Sequence, residues 1–182
     1  MRENQRPRIL DAGLRVAGTL EGAAITMDKV AREAGVSKPG LMYHFPTRDA
    51  LMSGLVEHAA LQVIQRMSKF LATEPQKASL TERYAAYIKT AAEGQNARAE
   101  WALWSHSAYI PQLQEAWKRH LGPMLDLPPE TSHEQRIRLN TARLAAEGLW
   151  AAQASGVLAP NEGDRKAVVA QLLALTEGSG LT

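Results

Sequence analysis

The feature that most constrains this chain is a stretch of twenty residues, from Thr26 to Phe45, with the pattern of two short helices joined by a tight turn. The first helix is predicted from about Met27 to Ala34, because apolar residues recur there at helical spacing. Gly35 suits the left-handed conformation that often ends a helix. Ser37 is a good N-cap for a second helix, and Pro39 fits that helix's first turn. The pattern therefore predicts a helix-turn-helix.

The second helix of this pair is predicted from about Lys38 to Phe45. Leu41 and Phe45 would form its buried side, and its outer side would carry Lys38, Gly40, Tyr43 and His44. In a DNA-binding helix-turn-helix, the second helix enters the major groove and presents side chains to base edges. An ordinary pair of packed helices with a glycine turn has the same spacing. Spacing alone leaves both interpretations open.

The segment from Thr26 to Leu51, with VAREAGVSKPGLMYHFPTRDAL at its centre, resembles the DNA-binding domain of the tetracycline-repressor (TetR) family. The resemblance implies a homodimer whose second helix reads an operator, and a C-terminal part that binds a small ligand and thereby releases DNA. Many members have an aromatic residue where Met42 stands and a lysine where Pro46 stands, so neither position is assigned a contact. The DNA-binding residues implied by the resemblance are Thr26, Ser37, Lys38, Pro39, Gly40, Tyr43, His44 and Arg48.

Composition limits the other classes of function. The chain has 182 residues, no cysteine and a formal net charge of +2, and that whole excess falls within residues 1–49. The lack of cysteine excludes disulfides and thiolate metal sites. No signal-type or 18-residue apolar run occurs, so we expect a soluble, cytoplasmic protein without a membrane segment. Neither a glycine-rich phosphate loop, a nucleophile elbow nor metal-ligand histidine spacing is present, so we expect no enzyme, cofactor or metal.

The remaining periodicity predicts an all-α fold of about nine helices, divided into a DNA-binding domain at 1–47 and a ligand-binding and dimerisation domain at 48–182. Arg2, Arg6 and Arg8 form a basic lead-in that either contacts phosphates or is simply solvated. Residues 21–23 are predicted as a turn. A long helix is predicted over 48–71, and another is expected to end near Leu121, with Gly122 and Pro123 in a loop.

Aromatic residues gather in the C-terminal part, which holds all four tryptophans. Aromatic side chains combine apolar area with a polar handle and suit a pocket for a lipophilic molecule, but they serve equally as core or interface residues. Glu147 would favour a cationic ligand through cation–π and charge contacts. Alternatively, Glu147 pairs with Arg143 one helical turn earlier. The predicted ligand-binding residues are Trp101, Trp104, Tyr109, Trp117, Glu147 and Trp150.

The last two helices, predicted over 132–154 and 163–176, are rich in small and apolar residues. Small side chains allow helices to approach closely, so these helices could form a four-helix bundle with a second copy, or pack only within the chain. The sequence thus predicts a homodimeric regulator, most simply a repressor, that binds a palindromic operator and is released by a small lipophilic or aromatic effector, cationic if Glu147 takes part. The alternative is a helical protein that binds small molecules or partners and whose helix-turn-helix is only structural.

Overall fold

The computed structural model describes residues 5–19 and 25–178, and within them it contains nine helices and no strand. The predicted all-α fold is therefore confirmed. Arg2 and the turn predicted at 21–23 lie outside the described residues. The helices are α1 Arg6–Ala17, α2 Met27–Ala34, α3 Lys38–His44, α4 Arg48–Ser68, α5 Leu80–Glu93, α6 Ala97–Ser107, α7 Pro111–Leu125, α8 His133–Ser155 and α9 Glu162–Glu177.

The described chain divides into two compact units by packing. Unit 1 comprises residues up to 61 together with 98–119, and unit 2 comprises 62–97 and 120–178. This division follows packing alone and does not test the functional boundary predicted between residues 47 and 48.

In unit 1, α1 packs against α2, and α2 against α3. Ile9, Val30 and Leu41 are completely buried, and Leu51 and Leu55 of α4 are buried to the same extent. Burial of a leucine or isoleucine side chain contributes about 1.5–3 kcal/mol each relative to exposure. These five side chains hold the first three helices and the start of α4 in one core.

In unit 2, α5, α8 and α9 pack against one another. The shared core contains Ile88 of α5, Ala142 and Ala146 of α8, and Leu172 of α9. Ser79 begins α5 with a capping box, in which its hydroxyl accepts from the backbone of Glu82 while the Glu82 carboxylate accepts from the Ser79 backbone. The two alanines therefore pack within the chain, as one of the two readings of α8 predicted.

The predicted end of α7 at Leu121 was wrong, because α7 continues to Leu125 with Pro123 inside it. Proline removes one intrahelical hydrogen bond, yet the final carbonyls gain other partners. Arg83 Nη1 donates to the Pro123 carbonyl at 2.8 Å, and the Tyr84 hydroxyl donates to the Leu125 carbonyl at 2.7 Å. Two side chains of α5 thus satisfy the last turn of α7, which local sequence does not reveal.

Candidate nucleic-acid interface

The turn between α2 and α3 is fixed by backbone hydrogen bonds. Thr26 caps α2, and its hydroxyl accepts from the Lys29 amide at 3.2 Å. Gly35 ends α2 at φ 64°, a left-handed conformation that costs other residues energy. The Val36 amide then donates to the Ala31 carbonyl at 3.0 Å. These bonds set the direction in which the chain enters α3.

Helix α3 is anchored at both ends of its inner side. The Ser37 hydroxyl accepts from the Gly40 amide at 3.1 Å, so the predicted N-cap is present. Leu41 and Phe45 are buried. A β-carbon added at Gly54 of α4 would lie 2.7 Å from the Phe45 ring, so the absence of a side chain there allows α4 to approach Phe45 closely. The inner side of α3 therefore has little freedom to rotate.

The outer side of α3 carries side chains that make no contribution to this core. Tyr43 is 83% exposed, and its ring meets the His44 ring edge-on with centroids 5.1 Å apart. Lys38 is also exposed, and its Nζ lies 3.0 Å from a carboxylate oxygen of Asp28. Sequence reasoning missed this pair. The outer side of α3 thus presents a phenol, an imidazole and a lysine whose charge is shared with Asp28.

The eight residues predicted to bind DNA all lie in unit 1, and six of them belong to α3 or its N-cap. Thr26 stands at the start of α2, where its hydroxyl is already used as a cap. Arg48 is the first residue of α4, and its Nε donates to the Ile25 carbonyl at 3.2 Å. The structure therefore groups the predicted α3 residues on one short helix and places Thr26 and Arg48 at the starts of two others.

The residues predicted to bind a ligand do not form one group within a unit. Trp104 and Trp117 of unit 1 pack with ring centroids 5.3 Å apart. Trp117 is buried, and its indole N–H donates to the Ser107 hydroxyl at 3.1 Å. Trp101 is also in unit 1, whereas Tyr109 follows α6 and is 87% exposed. Trp104 is 37% exposed, so part of this mostly buried aromatic pair is accessible at Trp104.

Glu147 and Trp150 belong to α8 in unit 2. One Glu147 carboxylate oxygen accepts from Arg143 Nη1 at 2.6 Å and from the Tyr87 hydroxyl at 3.2 Å. The side chains of Arg143 and Glu147 are 27% and 22% exposed. The predicted pair of Arg143 and Glu147 is present, and it is partly buried rather than fully solvated.

The face of α8 opposite to buried Ala142 and Ala146 is exposed and largely apolar. Ile137 and Leu144 are more than half exposed, and a β-carbon added at Gly148 would meet nothing within 4 Å. Val168 of α9 is also exposed.

Among the described residues, no group of three or more acidic or histidine side chains could hold a metal ion. No helix in the described part of the chain is long and apolar enough to cross a membrane.

Comparison with known proteins agrees with this arrangement of helices. Residues 9–55 match the domain described as "Bacterial regulatory proteins, tetR family", and residues 81–177 match "Tetracyclin repressor-like, C-terminal domain". The chain belongs to the TetR family. The resemblance noted from the helix-turn-helix is therefore confirmed over both parts of the sequence.

Curated relatives of this TetR-family chain include the nucleoid occlusion factor SlmA. The protein from Aliivibrio fischeri strain ES114 is 36% identical over 72 residues, which cover 39% of this chain and 37% of the relative. The protein from Alteromonas mediterranea is 36% identical over 78 residues, which cover 43% of this chain and 39% of the relative. The match thus spans well under half the length of these relatives.

Solved structures show the same TetR fold over almost the whole chain. A transcriptional regulator from Rhodococcus sp. Rha1 aligns with a TM-score of 0.71 at 20% identity, covering 97% of this chain and 98% of that one. The multidrug binding protein EbrR complexed with ethidium aligns with a TM-score of 0.65 at 20% identity, covering 96% of this chain and 99% of that one. At this identity the likeness concerns the fold.

Proposed function

We propose that this TetR-family protein is a ligand-responsive repressor that binds a palindromic operator as a homodimer. The observation that carries the proposal is the outer side of α3, where Tyr43 and Lys38 are exposed while Leu41 and Phe45 hold the helix in place. A tyrosine that contributes nothing to the core is available for base and sugar contacts, and a lysine for phosphate. Two such helices would dock in major grooves about 34–36 Å apart.

A double substitution tests the reading helix. Lys38→Ala with Tyr43→Ala should weaken binding to a DNA fragment from upstream of the gene. If Lys38 contacts one phosphate per subunit, the slope of log K against log salt should fall by about 1.8 for the dimer. The matched control is Lys77→Ala with Tyr109→Ala, because it removes the same residue types from exposed positions outside the helix-turn-helix.

The control should bind the fragment like the wild type. Equal binding by the α3 double variant and the wild type would show that the helix-turn-helix is only structural. In that case the protein would be a helical ligand-binding or partner-binding protein.

The proposed dimer interface is the exposed face of α8 together with α9. Ile137, Leu144 and Val168 leave apolar area in water in the single chain, and Gly148 leaves room for a close helix. Close approach of small residues and burial of apolar area both stabilise helix pairs. A second copy that packs its own α8 and α9 here would form a four-helix bundle, with isologous contacts.

The proposed effector is a small lipophilic or aromatic molecule bound by the tryptophans of the C-terminal part. Each unit offers its own candidate surface: in unit 1 Trp104 packs beside Trp117, and in unit 2 Trp150 lies one turn from Glu147 on α8. An effector releases DNA to the extent that it binds the non-binding conformation more tightly. The fold relative EbrR has been determined with ethidium, an aromatic cation, which is a suitable first probe.

Tryptophan fluorescence tests the effector proposal without DNA. We expect saturable quenching by ethidium or by the neutral aromatic naphthalene, and loss of that quenching in one Trp→Phe variant. If Glu147 selects cations, Glu147→Gln should weaken ethidium alone, whereas Glu134→Gln on the same helix should weaken neither. If neither compound quenches the fluorescence while the oligomeric state is unchanged, the proposal that these tryptophans bind an aromatic effector is wrong.

A further inference from the structure

A partly open cleft of about 220 Å³ lies in unit 1 where the start of α4 meets α6. At about 30 Å³ per water in the liquid, this space corresponds to roughly seven waters, close to the size of a molecule with one aromatic ring. The cleft is separate from the outer side of α3. It is lined by Ile25, Arg48, Met52, Trp101, Ala102, Ser105 and His106.

One wall of the cleft is cationic. Arg48 is exposed, and its Nε donates a hydrogen bond to the Ile25 carbonyl at 3.2 Å. Among the described residues no carboxylate forms an ion pair with Arg48, and the bond to Ile25 does not use the Nη1 and Nη2 atoms of the guanidinium. A planar guanidinium binds a carboxylate through two parallel hydrogen bonds. The charge on this wall therefore favours an anion.

The α6 wall contains a buried polar atom with no partner. His106 Nε2 is shielded from solvent and has no hydrogen-bond partner among the described residues. Because Nε2 is shielded from water-sized molecules, a ligand in the open cleft does not reach this atom, and His106 lines the cleft through other atoms of its residue. A carboxylate placed in the cleft would therefore accept hydrogen bonds from the Arg48 guanidinium.

The rest of the lining is apolar and aromatic. Trp101 provides an indole surface, and Ile25, Met52 and Ala102 add aliphatic area. An aromatic ring attached to the carboxylate would cover this area, and the ring would find a stacking partner in Trp101. The lining thus combines a hydrophobic part with a small number of polar donors, which is the composition of small-molecule sites.

We propose that this cleft is a binding site for a small aromatic carboxylate. The ring contacts Trp101 and its aliphatic neighbours, and the carboxylate accepts hydrogen bonds from Arg48. The site goes beyond the proposed repressor function and does not depend on it, because only unit 1 lines the cleft. Its position is nevertheless relevant to a helix-turn-helix, since Ile25 directly precedes the Thr26 cap of α2 and Arg48 begins α4.

The test uses benzoate as the probe and benzamide as its neutral counterpart, in the absence of DNA. Protein NMR should follow the His106 imidazole and the Trp101 indole. We expect both signals to shift saturably with benzoate, with a Kd of about 1 mM for nine non-hydrogen atoms in a partly open site. Benzamide should bind about tenfold more weakly, because it lacks the charge that Arg48 recognises.

Variants separate the cleft from a general charge effect. Arg48→Gln should lower benzoate affinity about tenfold and abolish the preference over benzamide. Arg32→Gln removes an equal charge from an exposed position on α2 outside the cleft, and should leave both affinities unchanged. Since Arg48 is exposed, the glutamine variant should fold, and its thermal melt verifies this.

Four results would overturn the proposal. The first is the absence of a saturable shift of His106 up to about 20 mM benzoate, which is twenty times the expected Kd. The second is binding of benzamide as tight as that of benzoate. The third is an unchanged benzoate affinity in Arg48→Gln, and the fourth is a loss of affinity in Arg32→Gln equal to that in Arg48→Gln. The first would indicate that benzoate does not occupy the cleft. None of them affects the binding of DNA by α3, so failure here is distinguishable from failure of the proposed repressor function.

Discussion

The pair between Lys38 and Asp28 gives a quantitative prediction about DNA binding. Lys38 Nζ lies 3.0 Å from Asp28, and the two side chains are 54% and 63% exposed. To contact a phosphate, Lys38 must leave Asp28, and Asp28 must approach the negatively charged backbone. Replacing Asp28 with asparagine removes both costs while keeping the size of the side chain. We therefore expect Asp28→Asn to bind DNA more tightly than the wild type.

The magnitude follows from the exposure of the pair. Exposed ion pairs contribute about 0.2–1 kcal/mol, so the gain is about 0.4–2 kcal/mol for two subunits, or roughly 2- to 30-fold in affinity. Stability should move in the opposite direction. Asp28 lies in the first turn of α2, where a carboxylate stabilises a helix by about 0.3–1 kcal/mol. Tighter binding with slightly lower stability is the expected signature.

Fluorescence anisotropy with a labelled duplex from upstream of the gene measures the affinity, at several salt concentrations. The matched control is Glu33→Gln, also on α2. Its carboxylate pairs with Arg15 at 2.6 Å, with side chains 42% and 58% exposed, so the control removes an equal charge from a similar pair. Unchanged or weaker binding by Asp28→Asn, or an equal gain in Glu33→Gln, would refute the role given to Lys38.

Three further predictions concern stability and assembly. Ser37→Ala should lower the free energy of unfolding by about 1 kcal/mol in urea titrations, and Ser37→Gly by only a few tenths, because the hydroxyl caps α3. Burial raises the pKa of Tyr84 above its unfolded value near 10, so stability should fall as pH rises from about 10 through the folded pKa. Tyr84→Phe should abolish that dependence while costing about 1 kcal/mol at neutral pH through loss of the hydrogen bond to Leu125. If the proposed dimer forms, Gly148→Gln should convert it to a monomer in size-exclusion chromatography without destabilising the chain, since nothing lies within 4 Å of the added β-carbon, whereas exposed Ala72→Gln should leave the dimer intact.

Local sequence was sufficient to predict the helix-turn-helix, because the interactions that determine this motif act between residues at most four positions apart. The glycine at position 35 adopts the left-handed conformation, Ser37 caps α3, and Leu41 and Phe45 are buried as their spacing predicted. Each of these properties depends on backbone dihedrals or on one helical turn. Periodicity likewise located the long helices, which begin or end within a few residues of the predicted positions.

Features that depend on distant packing were not predictable. Local signals predicted that α7 ends near Leu121, but Arg83 and Tyr84, some forty residues earlier, satisfy its last carbonyls. Alanine content alone did not separate the two faces of α8, where Ala142 and Ala146 are buried and Gly148 is exposed. The cleft beside α6 depends on residues about fifty positions apart. In each case the deciding partner comes from another helix, and helical periodicity contains no information about that partner.

The geometry around Glu147 bears on the charge of the proposed effector. Its carboxylate already accepts a 2.6 Å hydrogen bond from Arg143, and the pair is about three-quarters buried. A cation that reached Glu147 would have to displace this guanidinium or lie beside it. A displaced, partly buried Arg143 would lose its ion pair with Glu147 without regaining full hydration. A neutral aromatic molecule avoids that cost, because it gains contact with aromatic side chains while the ion pair remains intact. If the proposed effector binds beside Glu147, we therefore predict that ethidium binds there more weakly than a neutral ring system of equal area.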